Sequence, residues 1–442
     1  MSSQHNRRQW IQCSLASALG VSFSGWLPQL AQAAKAAKNS KACILLWMSG
    51  GPSQLDTFDP KPGQDNGGPI EGIATAQTGV RISEYLPQIA KQMKHLSIVR
   101  DMNTGEGDHG RGSQLMLTGY KPNPATAYPS VGSLLSKELG SLDNELPNYV
   151  SLSSTQRVGR VGGPGFLGPQ HAPLVVSGNS ADPTARANLT IENLAPPPGV
   201  TPEAMKKRFS ALGVLQSEFE ERYSGPATEA HRSSVERAAR MIESQAKNAF
   251  RLDEEKQGMR EAYGRNRFGQ GCLLARRLVE RGVPFVEVEL SGIRGAGALG
   301  WDTHSDNFTK VRGLCEVLDP AWATLMQDLR DRNMLDSTMV VWMGEFGRTP
   351  VINGSTGRDH WASGWSAVLG GAGIRGGEVV GDTGKDGAKL MGKPGEGTKA
   401  ADLYATICAG LDIDPEKENT TPEERPIRLV EDGGTPIEAL VS

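Results

Sequence analysis

The residues with the most chemistry to offer are carboxylates and imidazoles gathered in loop motifs. Trp301-Asp302-Thr303-His304 carries an acid and a histidine two apart, and an extended segment turns both to one side. Asp359-His360 supplies a second acid–histidine pair, and Gly344-Glu345-Phe346-Gly347-Arg348-Thr349-Pro350 supplies Glu345. Near the start of the chain, Ser49-Gly50-Gly51-Pro52-Ser53 leads to Asp56 and Asp59. Oxygen and imidazole donors without thiolates suit a divalent first-row ion, Zn²⁺ or Mn²⁺ ahead of Ca²⁺ or Mg²⁺. The candidate metal ligands are therefore Asp56, Asp59, Asp302, His304, Glu345, Asp359 and His360. The chain has 7 histidines, and His109, His171, His304 and His360 all fall in Gly-, Asp- or Pro-flanked loop motifs. Asp-x-His and Asp-His are common pairs, so the weight lies on the set rather than on any one spacing.

A further motif runs from Glu106-Gly107-Asp108-His109-Gly110-Arg111-Gly112-Ser113 into an apolar stretch ending at Thr118-Gly119. Glycine-rich chain entering a helix exposes free N–H groups and a positive dipole end, which together favour an anion. His109, Ser113 and Arg111 are the catalytic candidates here, although Ser113 also reads as the helix N-cap. Arg348 and Arg111 offer the planar fork that recognises phosphate or sulfate, while Arg348 is equally able to pair with Glu345 or cap a loop. His171 and Arg160, around Gly162–Gly168, are candidate substrate contacts. Trp301 and Trp361 read first as packing residues.

Three of these motifs follow apolar runs bounded by turn residues: Ala42–Met48, Phe285–Leu290 and Met339–Met343. Leu96–Val99 and Ser366–Leu369 read as further strands, with helical periodicity over Leu86–Lys94, Val131–Leu139, Gly271–Arg281 and Val311–Asn333. The alternation predicts an α/β fold, a largely parallel central sheet with helices on both faces. Such sheets bind ligands beyond the carboxyl ends of their strands, where separate motifs can converge. Residues from Thr201 to about Arg267 read as a helical insertion packed on the core, with a coiled-coil partner arm as the alternative. Gly370–Lys399 reads as surface loops, and no internal repeat is present.

Net charge is −3, so no electrostatic footprint for nucleic acid exists. The N-terminus carries Arg7-Arg8, a moderately apolar stretch and Ala31-Gln32-Ala33, the parts of a twin-arginine export signal over residues 1–33. That predicts a periplasmic or extracellular protein in which residues 34–442 form one domain, with no transmembrane segment left after signal removal. Cys43, Cys272, Cys315 and Cys408 sit in scattered apolar contexts and read as buried small hydrophobes, with a disulfide in an oxidising periplasm as the alternative. The sequence lacks a G-x-x-x-x-G-K-[ST] loop, which argues against a nucleotide-dependent transferase. No feature sets an oligomeric state.

The five motifs, taken in chain order, resemble the domain of unknown function 1501 family within the alkaline-phosphatase-like and sulfatase-like superfamily. The resemblance covers nearly all of the chain after residue 33 and implies an alkaline-phosphatase-like fold. It also implies metal-assisted cleavage of sulfate or phosphate esters, with a small ester-bearing molecule or a polysaccharide as substrate. On this resemblance Asp302 and His304 match ligands that follow a central strand, His360 a late histidine ligand, and Asp56, with Asp59 as rival, an early aspartate. Glu345-Phe346-Gly347 stands where relatives carry Asp-His-Gly, so Phe346 removes one ligand. The sulfatase nucleophile position falls on His109, which excludes formylglycine there. Three roles stay open: His109 as ligand beside a metal-activated water, His109 as covalent nucleophile, or Ser113 as nucleophile with His109 as base. The rival reading is a non-catalytic, metal-stabilised binding or envelope-assembly protein on a degenerate hydrolase scaffold.

Overall fold

The computed structural model describes residues 41–152, 163–176, 186–187, 189, 199–223, 225–293, 299–393 and 395–442. The export signal read over residues 1–33 and Arg160 lie outside the described residues.

The first half of the chain contributes β1 (Ala42–Met48), α1 (Pro87–Gln92), β2 (Leu96–Asn103), α2 (His109–Thr118), α3 (Val131–Glu138), β3 (Tyr149–Leu152), β4 (Leu174–Val175) and α4 (Pro202–Arg222). Next come α5 (Pro226–Glu243), α6 (Arg267–Glu280), β5 (Phe285–Leu290), α7 (Asn307–Asp331) and β6 (Thr338–Met343). A short hairpin, β7 (Gly347–Arg348) and β8 (His360–Trp361), precedes β9 (Ser363–Gly370), β10 (Val379–Val380) and α8 (Ala400–Gly410).

Eight strands form one sheet in the order β10-β2-β9-β6-β1-β5-β3-β4. Only β9 runs against its neighbours; every other pairing is parallel. All seven residues of β1 are buried, the signature of a strand covered on both faces. Its side chains alternate between two apolar cores. Ile44, Leu46 and Met48 pack with α1, α6 and α7, whereas Cys43, Leu45 and Trp47 pack with α2, α3 and α8. The α/β architecture expected from the sequence is therefore the one observed. The edge strands β4 and β10 have two residues each, and so short an edge offers little for another chain to pair with.

The helical insertion differs from its expectation. Met241, Ala249 and Phe250 join the core, but α4 buries none of its residues and packs against α5. Its apolar side chains are interleaved with Lys206, Lys207, Arg208, Glu218, Glu220, Glu221 and Arg222, so no face wide enough to enter the core exists. Val214, Leu215, Phe219 and Tyr223 are more than half exposed. The four described cysteines are buried and unpaired, and burial pushes the Cys43 and Cys272 thiols up. Among the described residues, no helix is long and apolar enough to cross a membrane.

Candidate functional site

Strands β6, β1 and β5 are adjacent and parallel, with Trp47 opposite both Met343 and Glu289. Their carboxyl ends are therefore level, and the three loops that leave them are pressed together. Trp301 N–H donates to Ser49 O at 3.2 Å. Gly50 and Gly51 both have positive φ, at 113° and 74°. A Cβ on Gly50 would lie 2.5 Å from the Asp302 nitrogen, and one on Gly51 would lie 2.8 Å from Phe346. Glycine is required at both places, first for the backbone conformation and then for the close approach.

Arg348 braces this junction from inside. Its Nε donates to Gly51 O at 3.0 Å, Nη2 donates to Gly50 O, and Nη2 meets Asp302 Oδ1 at 2.7 Å. Nη1 donates to Arg358 O at 3.4 Å, so the fork of this buried arginine is turned inward rather than toward a substrate. Glu345 is also fully buried. Its Oε1 accepts Gly50 N–H at 2.9 Å and faces His109 Nδ1 at 2.7 Å, while Oε2 is buried without a hydrogen-bond partner among the described residues.

His109 opens α2. Asp108 is the N-cap, and its side chain accepts Arg111 N–H at 3.0 Å. This corrects the N-cap reading of Ser113, which instead lies buried inside the helix, one turn beyond His109 on the same face. The helix starts earlier because Asp108 is itself a preferred cap. Arg111 points to solvent and pairs with Glu106 at 3.0 Å.

Asp302 is the hub of the cluster. His304 Nε2 lies 3.1 Å and His360 Nε2 3.2 Å from its Oδ1, and the two nitrogens are 3.0 Å from each other. The outer ring nitrogens are held separately: His304 Nδ1 sits 2.7 Å from Asp359 Oδ1, and His360 Nδ1 sits 2.7 Å from Gly107 O. A carbonyl or an ionised carboxylate can only accept, so both Nδ1 atoms carry a proton, and in its neutral form each ring turns an Nε2 lone pair inward. Three acceptor atoms thus converge on one point. Protonating His360 would relieve part of the conflict, but burial, with the Arg348 charge, lowers its basicity. A cation relieves all of it. Two nitrogens ~2.0 Å from a tetrahedral ion stand ~3.3 Å apart, close to the spacing present. The donor set therefore fits a divalent cation.

His109 stands beside this trio. Its Nε2 is 3.4 Å from Asp302 Oδ2 without hydrogen-bond geometry, and it is buried with no other partner among the described residues. His109, Asp302 and His360 offer ligand atoms that all lie within 4.8 Å of one another. Burial works against charging His109, but Asp302 and Glu345 outweigh it and lift its pKa to about 9. Burial likewise opposes ionisation of Asp302, yet His109 and Arg348 hold its carboxyl well below the usual range. The hydrogen bond from His304 lowers Asp359. Phe346 forms the floor, its ring centroid 4.9 Å from His109 and 4.7 Å from His360.

Other expected site residues are placed elsewhere. Asp56 is fully buried, with both oxygens on Arg358 at 2.8 and 3.1 Å and Asn307 donating at 2.7 Å. Asp59 is buried against Lys61 and Arg100 and accepts from Thr383. His171 is buried beside Ser136, 3.3 Å from its hydroxyl; burial, with Lys137 and Arg237, pushes it down to about 4. Sequence reading missed Arg358, Asn307 and the Gly107 carbonyl. A buried aspartate needs a cationic or amide partner, which was the available signal for the first two.

An α/β protein with a polar cluster beyond the carboxyl ends of a parallel sheet is the class that fold and site define. The chain belongs to the family described as "Protein of unknown function (DUF1501)", which it matches over residues 40–441. No curated protein matches the sequence. Among solved structures it is similar to Ps i-CgsB in complex with k-i-k-neocarrahexaose, at 13% identity and TM-score 0.41, covering 85% of this chain and 72% of that one. PsFucS1 sulfatase from Pseudoalteromonas sp. shares 13% identity at TM-score 0.39, with 92% and 77% covered. Phosphonate monoester hydrolase of Agrobacterium radiobacter shares 12% at TM-score 0.36, with 90% and 77% covered. Likenesses of this size assign neither activity nor substrate.

Proposed function

We propose that this protein is an exported, metal-dependent hydrolase of sulfate or phosphate esters with an alkaline-phosphatase-like fold. The observation that carries the reading is the convergence of His304 Nε2, His360 Nε2 and Asp302 Oδ1, each within 3.2 Å of the others, with both histidine tautomers held from outside. Asp302, His304 and His360 would hold the ion, with His109 as a further donor beside them. A bound divalent ion would supply Lewis acidity toward an ester oxygen and lower the pKa of water at neutral pH. The order of motifs along the chain supports the ester class, and Arg7-Arg8 with Ala31-Gln32-Ala33 supports export.

The chain's own residues divide the remaining work. Glu345 fixes His109 through Nδ1, so Nε2 is turned toward Asp302. Arg348 neutralises Asp302 from behind. Phe346 closes the floor with an apolar ring, which keeps water from the inner face of the histidines. His109 sits at the N-terminus of α2, whose dipole favours an anionic group.

Metal analysis of the purified protein and of His304→Ala tests the reading, followed by assays on aryl sulfate and phosphate esters. Zn²⁺ or Mn²⁺ retained by the parent, released in the variant and required for ester turnover is the expected result. A folded parent that takes up neither ion overturns it.

A further inference from the structure

We infer that Asn353 is a positioning residue for the cluster: through Asp359 it fixes the His304 tautomer that leaves Nε2 free to face Asp302. This rests on the cation reading for its purpose, though its geometry stands alone. The Asn353 carboxamide uses its whole hydrogen-bonding capacity. Nδ2 donates to His304 O at 3.0 Å and to Asp359 Oδ1 at 3.1 Å. Oδ1 accepts Ser355 N–H at 2.9 Å and Gly357 N–H at 3.0 Å. Asp359 Oδ1 is the same atom that faces His304 Nδ1 at 2.7 Å. One side chain therefore grips both the backbone of His304 and the carboxylate that sets its ring.

The loop around Asn353 is shaped for this task. Asp306 N–H donates to Ser355 O and Asn307 N–H to Thr356 O, which docks residues 353–357 against the segment after His304. Thr356 and Asp306 both hold positive φ, at 53° and 49°. A β-branched residue there is strained and persists only where its surroundings over-determine it. A Cβ on Gly357 would lie 2.0 Å from His304 O, so only glycine permits the contact. These features concentrate on the one ligand candidate with a half-exposed ring, which packing alone does not fix.

An aspartate at this position has the same shape but no donor, and it sets a second carboxylate against Asp359. The test compares the parent with Asn353→Asp. Calorimetric titration with Zn²⁺ follows affinity, and long-range ¹⁵N–¹H spectra of the metal-free protein follow the His304 tautomer. The variant is expected to bind Zn²⁺ about 10–100-fold more weakly, with His304 losing its Nδ1–H form. Asn353→Ala, which adds no charge, is expected to shift the tautomer the same way and serves if the aspartate variant does not fold. A His304 tautomer unchanged in the folded variants overturns the inference, whatever the affinity does. A parent that binds neither Zn²⁺ nor Mn²⁺ defeats the hydrolase reading, while the tautomer measurement still decides the role of Asn353.

Discussion

Asp56 and Asp302 both follow strands of the central sheet, and both stand in polar motifs rich in glycine, yet their surroundings differ in kind. Asp56 has no exposure and every oxygen is matched: two contacts from Arg358, one from Asn307. Asp302 keeps 26% of its side chain exposed and faces three imidazoles, two of which present lone pairs to it. A matched carboxylate is finished and holds loops together. Asp302 is paired with Arg348 on its buried side at 2.7 Å, while its other contacts are imidazole nitrogens at 3.1 to 3.4 Å. Residue type and spacing cannot separate these cases, because the partner decides which one applies.

The sharpest way to break this contrast is by stability. Asp56→Ala leaves Arg358 buried without its counter-charge and is expected to cost about 3–5 kcal/mol. His304→Ala in the metal-free protein removes a half-exposed ring and is expected to cost less than about 1 kcal/mol. Urea unfolding of both variants in chelator checks the pair; equal losses would erase the distinction.

Acid and base titration sharpens it further, again without metal. His171 has its pKa depressed to about 4, so its contribution is complete above pH 6.5 and is lost as pH falls toward 4. His109 is raised to about 9, so its contribution is complete below pH 6.5 and is lost as pH rises through 9. Each is worth at most about 3 kcal/mol, and less where solvent reaches the ring. Stability measured from pH 4 to 10 should show an acid limb that flattens in His171→Gln and an alkaline limb that flattens in His109→Gln. Limbs that ignore these substitutions would show that neither histidine sits in the field described. The smallest effect is expected in the helical insertion: Leu215→Gln on α4 should change stability by no more than about 0.5 kcal/mol.

Much of the fold was legible. Ala42–Met48 and Phe285–Leu290 appear in the structure with the bounds their apolar runs imply, because a strand buried on both faces writes an unbroken signal. Tyr149–Leu152 and Leu174–Val175 were missed because four and two residues are too short for any period to register. At the site, sequence named Asp302, His304, Asp359, His360, Glu345 and His109, and the structure brings them together. It also named Asp56, Asp59 and His171, which lie apart, each with its own partners. Asn353 stayed unseen because a lone amide in a turn looks like any other turn residue until its four bonds are traced.

The cluster is stitched across long stretches of chain. Gly50 and Glu345 are 295 residues apart, and His109 and Glu345 are 236 apart. No early folding unit can therefore contain it. Pairing of β1 with β6 must wait until residue 343 has been synthesised, and contacts of such separation form slowly. A nascent or truncated chain would offer an ion only scattered, mobile side chains. Any ion held by this cluster would thus be captured late in the life of the molecule, and its retention would report that these strands had paired.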